Sequence, residues 1–294
     1  MEDDSISKAR RALILAQVLN ITSIFLRVHG GLTTGSIALL ADGLDSIANV
    51  ISLGLAYLFS TLARKPPDEE HPYGHMRIEA LSFITSILIM TSILVALSTM
   101  LWSKVVVEKL VHVVDVSAIW YAFVSFLILL LSFVVLRRAT TESISAKAEV
   151  RHILSDVGES SIVFFNIILA VKWTPLFDIL ATLLIIGLLS YGIIRNLVDL
   201  CYEVLDVAAN VREEVRKVAL SVPGVRGCHA VRTRRVAGKI FVDLHIQVDG
   251  QVEVEEAHRI AHEVEEAILS NIPRVVDVVI HIEPIEDEES LNVY

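Results

Sequence analysis

Two apolar stretches of this sequence carry side chains of metal-ligand type at helical spacing. In LLADGLDSIANV, residues 39–50, Asp42, Asp45 and Asn49 stand at i, i+3 and i+7, so a helix there gathers their oxygens on one face. In RHILSDVGES, residues 151–160, His152 and Asp156 are i, i+4 neighbours and Glu159 continues the stripe. Two such faces supply the imidazole nitrogen and carboxylate oxygens that a four-coordinate divalent ion takes at about 2.0 to 2.2 Å. Singly, the residues have plainer readings: His152 and Glu159 as interfacial caps at a helix end, Asp42 as a partner for a neighbouring helix. As a set they point to a metal site.

These stretches lie in a chain built for lipid. Its 294 residues are 54% hydrophobic, with a mean hydropathy of +0.62, well above what a soluble globular protein needs. Six apolar runs approach the about 20 residues a spanning helix requires: 12–30, 36–62, 79–103, 116–136, 152–172 and 176–198. Carboxylates are costly in hydrocarbon, so those in the second and fifth runs are expected to face the bundle interior and mark an ion or proton path. A net charge of −10 excludes nucleic acid as partner and suits cations. Cys201 and Cys228 are too few and too far apart for a disulfide framework, and no role is assigned to them. The start, MEDDSISKARR, lacks a small-residue cleavage site, so no removable signal peptide is expected.

Lys and Arg near the span ends predict orientation. Lys8, Arg10, Arg11, Arg64, Lys65, Arg77, Arg137, Arg138, Lys147 and Arg151 fall on one side. The opposite loops offer Arg27, Lys104 and Lys109 offset by Glu108, and Lys172. Both termini are therefore expected in the cytoplasm of a multi-pass cell-membrane protein. After about residue 205 the pattern becomes that of a small soluble domain. NVREEVRKVALSV reads as a helix stopped by PG, HAVRTRRVAG and KIFVDLHIQVD as strands about a glycine turn, VEVEEAHRIAHEVEEAILSNI as an amphipathic helix and VVDVVIHIEP as a last strand. The expected order is αββαβ, and EPIEDEES is read as a solvated, partly disordered tail.

TGSIALLADGLDSIAN in the second span, HPYGHMRIE entering the third and HILSD in the fifth are together specific. On these motifs the chain resembles the cation diffusion facilitators, and the likeness covers nearly all of it. The resemblance implies a six-helix transport domain, residues 1–204, and a cytoplasmic α+β domain of metallochaperone-like (ferredoxin-like) fold, residues 205–294. It implies a transporter rather than an enzyme: a homodimeric exporter of divalent cations, Zn2+ first, with the metal as substrate and bound regulator. The transport site it implies is Asp45 and Asn49 with His152 and Asp156. The family usually has aspartate where this chain has Asn49, which leaves Asp45 and Asp156 alone to balance the ion and keeps Mn2+, Fe2+ and Co2+ open. Ligands must be deprotonated to bind metal, and His152 is the natural exchanging group, so metal/proton antiport is expected. Glu159 is either an accessory proton relay or a helix–helix hydrogen-bonding group.

Outside the membrane, Asp68, His71 and His75 stand in the loop between spans two and three, and the resemblance makes them a second zinc site. It also implies a zinc pair on the soluble domain through His229, His245, His258, His281 and Glu283, while His262 is read as a helix-face residue. Arg77 and Asp206 match a family ion pair between the membrane and soluble parts. Two rival classes stay open: a membrane-anchored metal sensor, against which the intramembrane carboxylates speak, and a passive channel, which usually lines a pore with rings of oxygens rather than one cluster.

Overall fold

The computed structural model describes residues 2–107, 114–139 and 144–285. Glu108, Lys109 and the tail beyond residue 285 lie outside the described residues, as do the side chains of Lys8, Arg10 and Lys147. Six helices are long and apolar enough to cross a membrane. They are α1 (Glu2–Thr34), α2 (Ile37–Leu62), α3 (Ala80–Trp102), α4 (Ser117–Ala139), α5 (Ile144–Lys172) and α6 (Leu176–Val204). Hydrocarbon offers the backbone no hydrogen-bond partners, so these runs must satisfy their amides internally and are helical. A 3-10 turn, Met76–Glu79, leads into α3, and a π-helical segment, Ser103–Val107, follows it.

By contacts the chain divides into two compact units, Met1–Leu55 with Thr85–Asn196, and Ala56–Ile84 with Leu197–Tyr294. In the first, α1 packs along α4 and α4 along α5. Small residues bring α1 against α2: a Cβ on Gly43 would meet Val28 Cγ2 at 2.7 Å, and one on Gly31 would meet Leu40 Cα at 2.6 Å. Leu39, Leu97, Ile167 and Leu189 lie in its apolar core.

The sequence reading counts Arg27 and Lys104 as loop charges, and the structure corrects both. α1 runs on to Thr34 and carries Arg27, 0% exposed, into the bundle, where it pairs with Asp42. The π-helical segment turns Lys104, 4% exposed, onto the buried Asp178.

The second unit contains α7 (Arg212–Leu220), β1 (Gly227–Val236), β2 (Lys239–Val248), α8 (Val254–Asn271) and β3 (Val275–Pro284), the expected αββαβ order. Ala237 and Gly238, both at positive φ (51° and 72°), make the two-residue turn that pairs β1 and β2 antiparallel. β3 pairs parallel to β2, and α8 supplies the crossover such a pair needs. Burial alternates along β2: Leu244, Ile246 and Val248 join Ile260, Val264 and Ile268 of α8 in the core, while His245 and Gln247 point to the other face.

Candidate metal sites

The intramembrane cluster begins with a contact between α2 and α5. Ser160 Oγ donates to Asp42 Oδ2 at 2.9 Å, and Arg27 Nη1 donates to Asp42 Oδ1 at 2.8 Å and to Ser160 Oγ at 3.2 Å. Successive spans alternate direction, so α2 and α5 run antiparallel. From Asp42 the repeat along α2 leads to Asp45 and then Asn49; from Ser160 the repeat along α5 leads to Asp156 and then His152. The two ligand stripes therefore descend from one anchored level on neighbouring helices.

Within that cluster each helix forms its own close pair. Asn49 Nδ2 donates to Asp45 Oδ2 at 3.0 Å, leaving the amide Oδ1 as the atom able to meet a cation. His152 Nδ1 stands 3.4 Å from Asp156 Oδ1. Asp156 is buried, whereas the His152 side chain is 38% exposed. Asp45 is within electrostatic reach of Asp42 and Asp156, and Glu159 within reach of all three and of His152. Asp45 and Asp156 thus each lie beside a polar side chain one turn away on their own helix. Among the described residues, two other groups of three, not this one, bring their ligand atoms within 4.8 Å of one another.

The first of these groups is Asp68, His71 and His75. A turn closes the loop: the backbone amides of Asp68 and His71 each donate to the other's carbonyl at 3.2 Å, and Gly74, at φ 79°, donates to the His71 carbonyl at 2.9 Å. The Asp68 carboxylate receives the His71 amide at 2.8 Å and lies 3.1 Å from His71 Nδ1 and 3.5 Å from His75 Nε2. The two rings are 4.3 Å apart. A hydrogen bond from Lys65 at 2.9 Å holds the Asp68 carboxyl well below the usual carboxylate range; slight desolvation opposes this and the His71 bonds reinforce it. His75 is buried, and its Nδ1 lacks a hydrogen-bond partner. One anionic oxygen and one nitrogen from each of two imidazoles, all within 4.8 Å of one another, are a donor set that fits a divalent transition metal.

The second group is His229, His245 and Glu283. His229 pairs with His245, and His245 with His281, across the sheet, so one register row carries three imidazoles. A bulge between His229 and Arg232, with Ala230 at φ 49°, sets the local direction of β1. Glu283, two residues beyond His281 on the same face, reaches His229 Nε2 at 2.9 Å and His245 Nδ1 at 2.7 Å, and lies 3.7 Å from His281 Nε2. Desolvation would raise the Glu283 carboxyl, but the bonds to His245 and His229 outweigh it and hold the carboxyl below its ordinary value. His258 stands outside this group: its ring lies edge-on to His262, 4.5 Å away on α8.

Arg77 Nη2 donates to Asp206 Oδ1 at 2.8 Å. Asp178 escapes the sequence reading altogether. Its carboxylate takes Ser36 Oγ at 2.5 Å, the amides of Ile37 and Ala38 at 3.1 and 3.3 Å, and Lys104 Nζ at 3.1 Å. The available signal was an aspartate inside an apolar run, the same signal that singled out Asp42 and Asp45.

Comparison with known proteins returns two family models, the cation efflux transmembrane domain over residues 13–205 and the cation efflux protein cytoplasmic domain over residues 208–285. The cation-efflux pump FieF of Pectobacterium carotovorum is 30% identical over 279 residues, covering 93% of this chain and 91% of that protein. Metal tolerance protein C1 of Arabidopsis thaliana is 28% identical over 272 residues, covering 86% of this chain and 58% of that protein. A solved MamM CTD variant is 36% identical, covers 26% of this chain and 94% of its own, and has a TM-score of 0.25.

Proposed function

The chain belongs to the cation efflux, or cation diffusion facilitator, family, and from that premise we propose that it exports divalent metal cations, Zn2+ foremost, from the cytoplasm in exchange for protons. Residues 1–204 form the transport domain; residues 205–294 form a cytoplasmic domain that binds metal and dimerises. The protein sits in the cell membrane with both termini in the cytoplasm. The observation that supports this reading is the hydrogen bond from Ser160 of α5 to Asp42 of α2; one to two turns from it along each helix stand Asp45 and Asn49, and Asp156 and His152.

The substrate ion is bound by Asp45, Asn49, His152 and Asp156. Two carboxylates balance its two charges, and the neutral imidazole and the Asn49 amide oxygen complete the set. Binding requires His152 to give up its proton, and reprotonation from the proton-rich side expels the ion. Alternation of access by helix rocking couples the two fluxes. Asp68, His71 and His75, and separately His229, His245, His281 and Glu283, are metal sites outside the membrane that stabilise or regulate the dimer. The neutral Asn49 supports a second reading within the same family, export of the harder ions Mn2+, Fe2+ or Co2+.

The test is uptake of Zn2+, Mn2+, Fe2+, Co2+ and Cd2+ into sealed vesicles under an imposed pH gradient. Accumulation should follow the gradient and vanish in His152→Ala and Asp156→Ala. Accumulation indifferent to the gradient removes the antiport reading.

A further inference from the structure

Arg27 lies in the bundle interior with no access to solvent. Its Nη1 binds Asp42 and Ser160, its Nε turns to the Ser23 carbonyl at 3.4 Å, and its Nη2 has no hydrogen-bond partner. Guanidinium is always charged, and Asp42 is the anion that neutralises it. Asp45 stands one helical turn from Asp42 on α2, so the charge beside Asp42 acts on it as well. Arg27, Asp42 and Asp156 are buried and Asp45 is half-buried, so water screens these charges weakly and each acts strongly on any ion bound among them.

We propose that Arg27 sets the charge of the transport site: by neutralising Asp42 it withdraws a third carboxylate from the cation held by Asp45 and Asp156, and keeps binding weak enough for release. Transport requires this, because a site that holds its ion too tightly does not let it go. The inference rests on Asp45 and Asp156 being the transport site. A purely mechanical role, tying α1 to α2 and α5, predicts something different: removing either partner would damage transport in the same way. The charge role predicts opposite signs.

The experiment measures the apparent KM and the maximal rate of Zn2+ uptake in vesicles containing the full chain. Arg27→Gln, which leaves Asp42 unneutralised, should lower KM about tenfold and slow the maximal rate through retarded release. Asp42→Asn, which leaves Arg27 unneutralised, should raise KM about tenfold. The double variant should return KM to near that of the parent, and Arg27→Lys, which keeps the charge, should hold it there. KM changes of the same sign in both single variants, or none in either, overturn the inference. If Arg27→Gln fails to fold, Asp42→Asn and the double variant decide together: KM raised in the first and restored in the second supports the inference, and a double variant no better than Asp42→Asn, or an unaltered KM in Asp42→Asn, overturns it. Uptake that survives in Asp45→Asn removes the site reading and the inference with it. Uptake lost in Asp45→Asn but unaltered in Asp42→Asn removes the inference only.

Discussion

Lys104 Nζ lies 3.1 Å from Asp178 Oδ2, with the two side chains 5% and 0% exposed. Lys104 also donates to the Gly35 carbonyl at 2.7 Å, so one ion pair holds the chain between α1 and α2 while its carboxylate caps the first amides of α2. Negative charge at a helix N-terminus is favourable, and here it is shielded from water. Removing one member of a buried pair strands the other, at a cost of about 3 to 5 kcal/mol. Asp178→Asn and Lys104→Met should therefore each lower the thermal unfolding midpoint of the protein in detergent. The double variant should recover part of the loss, and strictly additive losses would show that the two residues act separately.

Much of this architecture was legible because lipid imposes a simple grammar. Apolar runs of spanning length became helices, and the alternation in KIFVDLHIQVD became β2 with its histidine turned from the core. The loop group at Asp68, His71 and His75 was expected from the family resemblance, and the turn of the backbone is what brings its ligand atoms together. Arg27 and Lys104 were misread because a charge near the end of an apolar run looks the same whether it reaches water or turns inward. Only the partner decides, and Asp42 and Asp178 lie 15 and 74 residues away in sequence. Glu283 was grouped with the sheet histidines through the resemblance, and its contacts with them follow from strand register, which places His229, His245 and His281 in one row.

Those contacts make Glu283 the most informative residue of the soluble domain. Its carboxylate contacts both His229 and His245. Whether it ligates a metal or orients the two rings, replacing it by a neutral amide should weaken metal binding there by about ten- to a hundredfold. Competitive Zn2+ titration of Glu283→Gln in the full chain, on a His75→Ala and Asp156→Ala background that disables the loop group and the proposed transport site, measures this. Affinity equal to that of the background would place the metal elsewhere on the domain.

Cys228 reports on the folding of the same domain. It is buried in the core, paired across the sheet with Ile246, and burial pushes its thiol up, with the Arg216 charge opposing in part. A raised pKa means less thiolate at a given pH, and only the thiolate reacts with alkylating reagents. Cys228 should resist iodoacetamide at pH 8 in the native protein and become reactive once the domain unfolds in denaturant. Rapid alkylation of Cys228 in native protein, read by peptide mass, would show that this core opens readily.

Asn49→Asp tests how the transport site chooses its ion. In the present sequence the Asn49 amide donates to Asp45, so the position contributes a hydrogen bond and one neutral oxygen. Aspartate there would remove the donor and set a second charge one turn from Asp45, four residues apart, where like charges repel. A bound cation relieves that repulsion, so the variant should bind all divalent ions more tightly. The gain should be largest for the ion that forms the strongest bonds at short distance, and in the usual order of divalent affinities Zn2+ exceeds Mn2+. Competitive uptake of Zn2+ against Mn2+ should therefore shift toward Zn2+ by about tenfold. Tighter loading should also slow the maximal rate, for the reason given for Arg27→Gln. A Zn2+ to Mn2+ ratio that stays at the parent value would mean that position 49 does not set selectivity and that His152 or the geometry of α5 does.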